Sequence, residues 1–408
     1  MERQYDVLIV GGGHGGAAAA MALRHRGFGG SIAIVGEEPD LPFDRPPLSK
    51  DYLAGDKPFE RMVFRSAASW AERRVTLLLG PKVEAIEAAA RKARTSGGSR
   101  IGFSRLIWAA GGRAKRIGCP GGNLRGVHSI RSRADVDRII AELPEVRQVA
   151  VVGGGYIGLE AAAVLTKLGK HVILLEAQDR VLSRVAGEPV SRFYEAEHRA
   201  RGVEVRLRAS VDSFVDQEGR VAAVRLGCGE LLPAQMVIVA IGIEPVDEPL
   251  IAAGAEASNG IRIDGQCRTS LADIYAIGDC AEHRNHFVGG AWVRLESVQN
   301  ATDQAAVAAA SICGGSDDYA ALPWFWSNQY DLRLQTVGLS QGHDELVMRG
   351  DPGTRSFSVV YLRGGAVVAL DCVNATRDYV QGRALIAGAA RPDRQALADP
   401  SVPIKTLA

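Results

Sequence analysis

Val149-Ala150-Val151-Val152-Gly153-Gly154-Gly155-Tyr156-Ile157-Gly158 repeats the pattern of Val7-Leu8-Ile9-Val10-Gly11-Gly12-Gly13-His14-Gly15-Gly16. Each aliphatic run reads as a buried strand that ends in glycines and turns into an Ala-rich helix, Ala17 to Leu23 in one case and Leu159-Glu160-Ala161-Ala162-Ala163 in the other. In such a loop one glycine permits the tight turn and one lets backbone approach a pyrophosphate. A third lets helix and strand pack closely, while the helix N-terminus supplies partial positive charge. In a chain with 47 glycines one such match says little. Here each copy is followed by an acid at the end of the next strand: Glu37 after Ser31-Ile32-Ala33-Ile34-Val35-Gly36, and Glu176 after His171-Val172-Ile173-Leu174-Leu175. Such a carboxylate is placed to accept hydrogen bonds from an adenosine ribose. Two complete sites imply two dinucleotides in one chain, and so a redox enzyme.

At 408 residues the chain exceeds a single core, and two to three domains are expected. Hydrophobic content of 47% and charge of 23% are ordinary for a globular protein. A net charge of +1 argues against nucleic-acid binding by bulk electrostatics. The average hides an asymmetry: Arg61 to Arg133 holds sixteen Lys/Arg against Glu72, Glu84 and Glu87, a local balance of +13. That stretch reads either as a solvated arginine-rich surface or as a docking face. No apolar run approaches the roughly 18–20 residues of a membrane span. With strand one beginning within the first residues, no signal segment is expected, and the setting expected is cytoplasmic. The six cysteines (Cys119, Cys228, Cys267, Cys280, Cys313, Cys372) are scattered without C-x-x-C or metal-ligand spacing, so reduced structural thiols and no metal are expected.

The fold expected is α/β: two nested Rossmann-like dinucleotide-binding domains plus a small C-terminal α+β domain. The first β-α-β unit spans Tyr5 to Glu37, and a Pro-rich loop, Leu41 to Lys50, follows it. Val75 to Val83 and Ile101 to Ala110 read as further strands. A second unit, Val149 to Glu176, closes with a strand at Gln235 to Ala240. Ile274-Tyr275-Ala276-Ile277-Gly278-Asp279 reads as a buried strand running into a turn that carries a carboxylate. A helix is expected from Ser297 to Ile312, then a linker, Gly314 to Asp318. Strands at Phe357–Leu362 and Ala366–Cys372 and a helix near Tyr379–Ala387 follow. The division expected is 1–112 for the first part of one dinucleotide-binding domain, 113–243 for a second, 244–318 for the remaining part of the first, and 319–408 for the C-terminal domain.

Together these residues resemble the FAD-dependent pyridine-nucleotide reductases of glutathione-reductase-like architecture. More narrowly, the chain is similar to the ferredoxin reductases of bacterial cytochrome P450 and ring-oxygenase systems, the putidaredoxin-reductase type. The resemblance covers nearly the whole chain. It is carried by Arg45-Pro46-Pro47-Leu48-Ser49-Lys50, Gly278-Asp279-Cys280-Ala281, Trp292-Val293-Arg294-Leu295-Glu296-Ser297-Val298 and Pro323-Trp324-Phe325-Trp326-Ser327-Asn328-Gln329-Tyr330. Two departures, Ala109-Ala110-Gly111 for Ala-Thr-Gly and Pro245-Val246 for Pro-Asn, touch packing more than chemistry.

The resemblance implies FAD on Gly11, Gly13, Gly15 and Gly16, with Glu37 at its ribose, Val83 near the adenine, and Arg131 in contact. Asp279 is implied to hold the ribityl chain, and the Val298 backbone, opening a helix, to face the pyrimidine edge. A helix N-terminus suits the anion of reduced flavin. Lys50 and Glu160 match the catalytic pair this family sets near flavin N5, although Lys50 alone also reads as a surface lysine. Gly153, Gly155, Gly158 and Glu176 are implied to bind NADH. The Glu176 carboxylate favours a ribose hydroxyl over the phosphate of NADPH, while Arg180 and Arg184 lie within reach of a phosphate. Trp324 and Trp326 read equally as core or as an electron route, and His14 as a tolerated loop residue.

Disulfide reductases of this architecture need a cysteine pair beside the flavin, and thiol-based NADH oxidases need one cysteine. From Gly11 to Gly118 there is none. Electrons taken from NADH are therefore expected to leave singly, to a [2Fe-2S] ferredoxin with an acidic docking face. The alternatives are an NADH oxidase or disulfide reductase, and a flavoprotein interaction module resembling apoptosis-inducing factor. Nothing in the sequence separates a monomer from a weak homodimer.

Overall fold

The structure is a computed structural model describing residues 3–407. Two compact units divide the chain. The first comprises Met1–Arg45, Phe59–Arg113 and Glu244–Pro323, and the second Pro46–Pro58, Ala114–Ile243 and Trp324–Ala408.

The first unit is built on a parallel sheet ordered Val75–Leu79, Ile32–Gly36, Arg3–Val10, Arg100–Trp108 and Ile274–Ala276. Both faces of its central strands are covered, so Val7, Leu8, Ile9, Ile32, Ile34, Leu106 and Ile107 are buried without alternation, the pattern of a buried parallel sheet. The helices His14–His25 and Val298–Ile312 pack on each other, and both bury small residues, Gly15, Gly16, Ala19 and Ala20 on one and Ala301, Ala305, Ala308 and Ala309 on the other. Where the sequence suggests one strand from Val75 to Val83, there are two, Val75–Leu79 and Val83–Glu87. Gly80 separates them at φ +100°, donating its N–H to the Gly36 carbonyl at 2.8 Å. Val83–Glu87 then forms an antiparallel pair with Lys92–Thr95.

The second unit repeats the plan. Its parallel sheet is ordered Glu204–Leu207, His171–Glu176, Gln148–Val152, Met236–Val239 and Val127–Ser129. It also holds an antiparallel sheet from Trp324–Gln329, Leu332–Gly338, Ala366–Val373, Ser356–Arg363 and Glu345–Asp351, with the helix Thr376–Ala387 beside it. The short stretch Pro46–Pro58 belongs to this unit and brings Ser49 and Lys50 with it. No helix among the described residues is long and apolar enough to cross a membrane.

Candidate active site

Each glycine loop caps the central strand of its sheet. In the first, Gly11 stands at φ +113°, and a Cβ there would lie 2.2 Å from the Ala109 carbonyl oxygen. A Cβ on Gly16 would lie 1.9 Å from the oxygen of Gly11, so the helix can approach the strand only without one. Gly13, the N-cap of the helix His14–His25, meets nothing within 4 Å. The second loop has the same geometry, with Gly153 against Ala240, Gly158 against Gly153, and Gly155 as an N-cap facing open space. Open space at a helix N-terminus, whose first N–H groups have no intrahelical partner, fits a pyrophosphate, so both loops suit a dinucleotide.

In the first unit the Asp279 turn and the helix opened by Val298, both implied to touch the flavin, lie beside this loop. A Cβ on Gly15 would touch Ile277 Cδ1 at 3.4 Å and the Ala301 oxygen at 3.6 Å, which puts the loop beside the Asp279 turn and the helix opened by Val298. Gln304 Oε1 accepts from Gly278 N at 2.7 Å and Arg294 donates to the Asp279 carbonyl at 2.8 Å, so this turn is held from both sides. Ser297 caps the helix by accepting from Asn300 N. Val83 is buried at the start of its strand, and Glu37 is exposed just beyond Gly36. His14 has a role the sequence did not suggest. Its Nε2 lies 3.0 Å from Asp44 Oδ1 and its ring stands edge-on to Phe64, which ties the phosphate loop to the neighbouring Pro-rich segment.

In the second unit Glu176 is engaged on both oxygens. Oε2 accepts from Gly154 N at 2.7 Å and Oε1 from Gln178 N at 2.8 Å. Arg180 is committed to its own loop and the helix after it, donating to Ala186 O, Ser183 O and Ser191 Oγ, whereas Arg184 is exposed. Arg131 belongs to this unit and is half-buried, just before the capping box of Ser132 and Asp135.

Lys50 and Glu160, 110 positions apart, meet here: Lys50 Nζ lies 2.6 Å from Glu160 Oε2. Glu160 is only 2% exposed. A buried carboxylate of this kind needs several donors to repay its desolvation. Ser49 Oγ donates to the same oxygen at 2.6 Å, and Ser327 Oγ to Oε1 at 2.6 Å. Neither serine stood out in the sequence beyond membership of its motif. Trp324 and Trp326 are half-buried with ring centroids 5.5 Å apart, and Phe325 packs on Tyr156 at 4.5 Å.

All six cysteines are free. Cys280, the one nearest the Asp279 turn, is fully buried; burial pushes its thiol up to about 12. No group of metal-ligating side chains occurs among the described residues.

With its paired dinucleotide loops, the chain belongs to the pyridine nucleotide-disulphide oxidoreductase family, whose model matches residues 5–305; a reductase C-terminal model matches 324–408. It is therefore an oxidoreductase that uses FAD and a nicotinamide dinucleotide. It is 55% identical over 404 residues, 99% of this chain and 98% of the relative, to the ferredoxin reductase subunit of a 5,5'-dehydrodivanillate O-demethylase from a Sphingobium species. It is 39% identical to putidaredoxin reductase of Pseudomonas putida, covering 100% of this chain and 97% of that one. Among solved structures, the covalent putidaredoxin reductase–putidaredoxin complex matches with a TM-score of 0.94 at 38% identity, covering 99% of this chain and 98% of that one.

Proposed function

We propose that this chain is an NADH-dependent ferredoxin reductase, passing electrons from NADH through FAD to a [2Fe-2S] ferredoxin that supplies a P450 or another oxygenase. The observation that carries the reading is the whole-chain likeness to a reductase solved in covalent complex with putidaredoxin. FAD, when bound, accepts a hydride and releases electrons one at a time.

The residues divide the work. Gly11, Gly13, Gly15 and Gly16 seat the FAD pyrophosphate, with Glu37, Val83, Arg131 and Asp279 along the rest of the cofactor. The N-terminal N–H groups of the helix at Val298 stabilise negative charge at its pyrimidine edge. Gly153, Gly155 and Gly158 seat NADH. Glu176 takes the ribose and disfavours a 2′-phosphate, a preference supported by the commitment of Arg180 to its own loop. Lys50, held by Glu160, supplies positive charge where negative charge accumulates on reduction. The domains follow the same division, 1–112 with 244–318 for FAD, 113–243 for NADH and 319–408 at the C-terminus. Free thiols are in keeping with a cytoplasmic setting. Thiol chemistry at the flavin is disfavoured because the buried Cys280 is held protonated.

Ferredoxin docking must be specific and brief, which suits a charge-steered interface. Arg65, Arg73 and Arg74 belong to the arginine-rich stretch of the first unit, and Arg73 is anchored on Ser69. Ferredoxin reduction should slow steeply as salt rises from about 0.05 to 0.5 M, where the screening length falls below about 10 Å. Flavin reduction by NADH should change far less. Stopped-flow rates for both steps test this, and a salt-independent ferredoxin rate would reject the docking model. Charge reversal at Arg73 and Arg74 should raise the KM for ferredoxin and spare a small neutral acceptor.

A further inference from the structure

The Lys50–Glu160 pair ends a directed chain of hydrogen bonds that runs through the second unit. The Glu160 carboxylate, paired with Lys50, acts as the acceptor, and the Ser327 hydroxyl donates to its Oε1 at 2.6 Å. Ser327 Oγ in turn accepts from Gln329 Nε2 at 3.2 Å, which leaves Gln329 Oε1 to accept from His198 Nε2 at 2.9 Å. His198 Nδ1 is then an acceptor, and Tyr330 OH donates to it at 3.0 Å. Burial holds His198 down at about 4, so the neutral ring with its proton on Nε2 is the form this order requires. Ser327, His198 and Gln329 are all buried. Every proton in the chain has one assigned direction, and the last points at Glu160. On the other oxygen, Ser49 and Lys50 converge on Oε2.

We propose that Ser327, backed by Gln329 and His198 and opposed by Ser49, is a positioning residue that fixes the Glu160 carboxylate so that Lys50 presents its charge to the flavin. This rests on the reading above that Lys50 stands beside the cofactor. Two hydroxyls share the charge of Glu160 with the lysine. Removing one concentrates that demand on Lys50, which is then less available to negative charge outside the pair.

The test is the FAD midpoint potential, measured spectroelectrochemically on the FAD-loaded protein, together with flavin reduction by NADH in stopped flow. Ser327→Ala and the near-isosteric, poorly donating Ser327→Cys should lower the potential, shifting the ratio of oxidised to reduced FAD threefold to tenfold at fixed potential. That is about 15 to 30 mV for a two-electron couple. Flavin reduction should slow several-fold at saturating NADH while NADH affinity holds. In a Glu160→Gln background the same Ser327→Ala change should move nothing further, because its target is gone. Folded Ser327 variants with the wild-type potential, or a shift that persists beside Glu160→Gln, would overturn the proposal. Should Ser327→Ala not accumulate, Ser49→Ala must give the same Glu160-dependent shift. Glu160→Gln separates the two levels: if it alone leaves potential and rate unchanged, the placement of the pair at the flavin fails. If it shifts them and the serine variants do not, only the positioning role fails.

Discussion

The two glycine loops share a backbone and differ in the acid that follows. In both, the first glycine has a positive φ, +113° at Gly11 and +107° at Gly153, and its N–H bonds the neighbouring parallel strand, at Val35 O (2.7 Å) and Leu175 O (2.8 Å). In both, a Cβ on the last glycine would stand 1.9 Å from the oxygen of the first. That shared register makes Val35 and Leu175 equivalent, and so places Glu176 opposite Gly36 rather than Glu37. At Gly36 an added Cβ would meet Gly12 N at 3.3 Å; at the same place in the second loop the Glu176 carboxylate accepts from Gly154 N. As the proposed ribose acceptor for NADH, the second acid is held in place by its own loop, which lowers the ordering cost of binding. Such preorganisation suits a substrate that exchanges at every turnover. The first acid sits one residue later and exposed, an arrangement adequate for a cofactor that stays.

The largest effect is expected where the backbone contact common to both loops is closed. Gly16→Ala and Gly158→Ala place a methyl against a carbonyl oxygen, and each should cost more than about 3 kcal/mol, beyond ordinary overpacking. Urea unfolding measures this, and a loss below about 1 kcal/mol at either position would mean that the close approach is not needed. The acids come next. Glu176→Ala should weaken NADH binding by roughly 1–3 kcal/mol and shrink the penalty against NADPH, since it removes a charged acceptor and its repulsion. Glu37→Ala should leave the stability of the FAD-free protein within about 0.5 kcal/mol, as for an ordinary surface change. An unchanged NADH/NADPH preference in the Glu176 variant would equate the two acids and remove the distinction. The smallest effect on the fold is expected at the open glycines. Gly13→Ala and Gly155→Ala meet no atom within 4 Å, so melting should move little while affinity for FAD and NADH, respectively, falls about tenfold, near 1.4 kcal/mol. Equal losses of stability at open and closed glycines would contradict the geometry described.

Much of this was legible because buried parallel strands write themselves as unbroken aliphatic runs, as Val7–Val10 and Val149–Val152 do. The helix expected at Ser297–Ile312 forms at Val298–Ile312 with Ser297 as its cap, and the run Ala366–Cys372 becomes the strand Ala366–Val373. The strands at Leu332–Gly338 and Glu345–Asp351 were hidden, since their buried positions include Gln335 and Arg349. Arg349 is interior only because Asp378 and the carbonyls of Leu397, Asp399, Pro400 and Val402 surround it, partners with no local signature. Ser49 and Ser327 were silent for the same reason: their meaning depends on Glu160, 111 and 167 positions away. The one-residue offset between Glu37 and Glu176 likewise needs the strand register, which a motif does not contain.

The proposed route takes electrons from NADH out of this chain to an iron–sulfur protein. Its most direct test is an anaerobic single-turnover experiment in which the FAD-loaded protein is mixed with one equivalent of NADH and two of oxidised [2Fe-2S] ferredoxin. Rapid flavin bleaching is expected, followed by recovery of the flavin band as both ferredoxins are reduced, with the second phase slowed by salt. Flavin that bleaches and stays reduced while every ferredoxin offered remains oxidised, with an association state that changes on NADH binding, would contradict it and favour an NADH-gated interaction module.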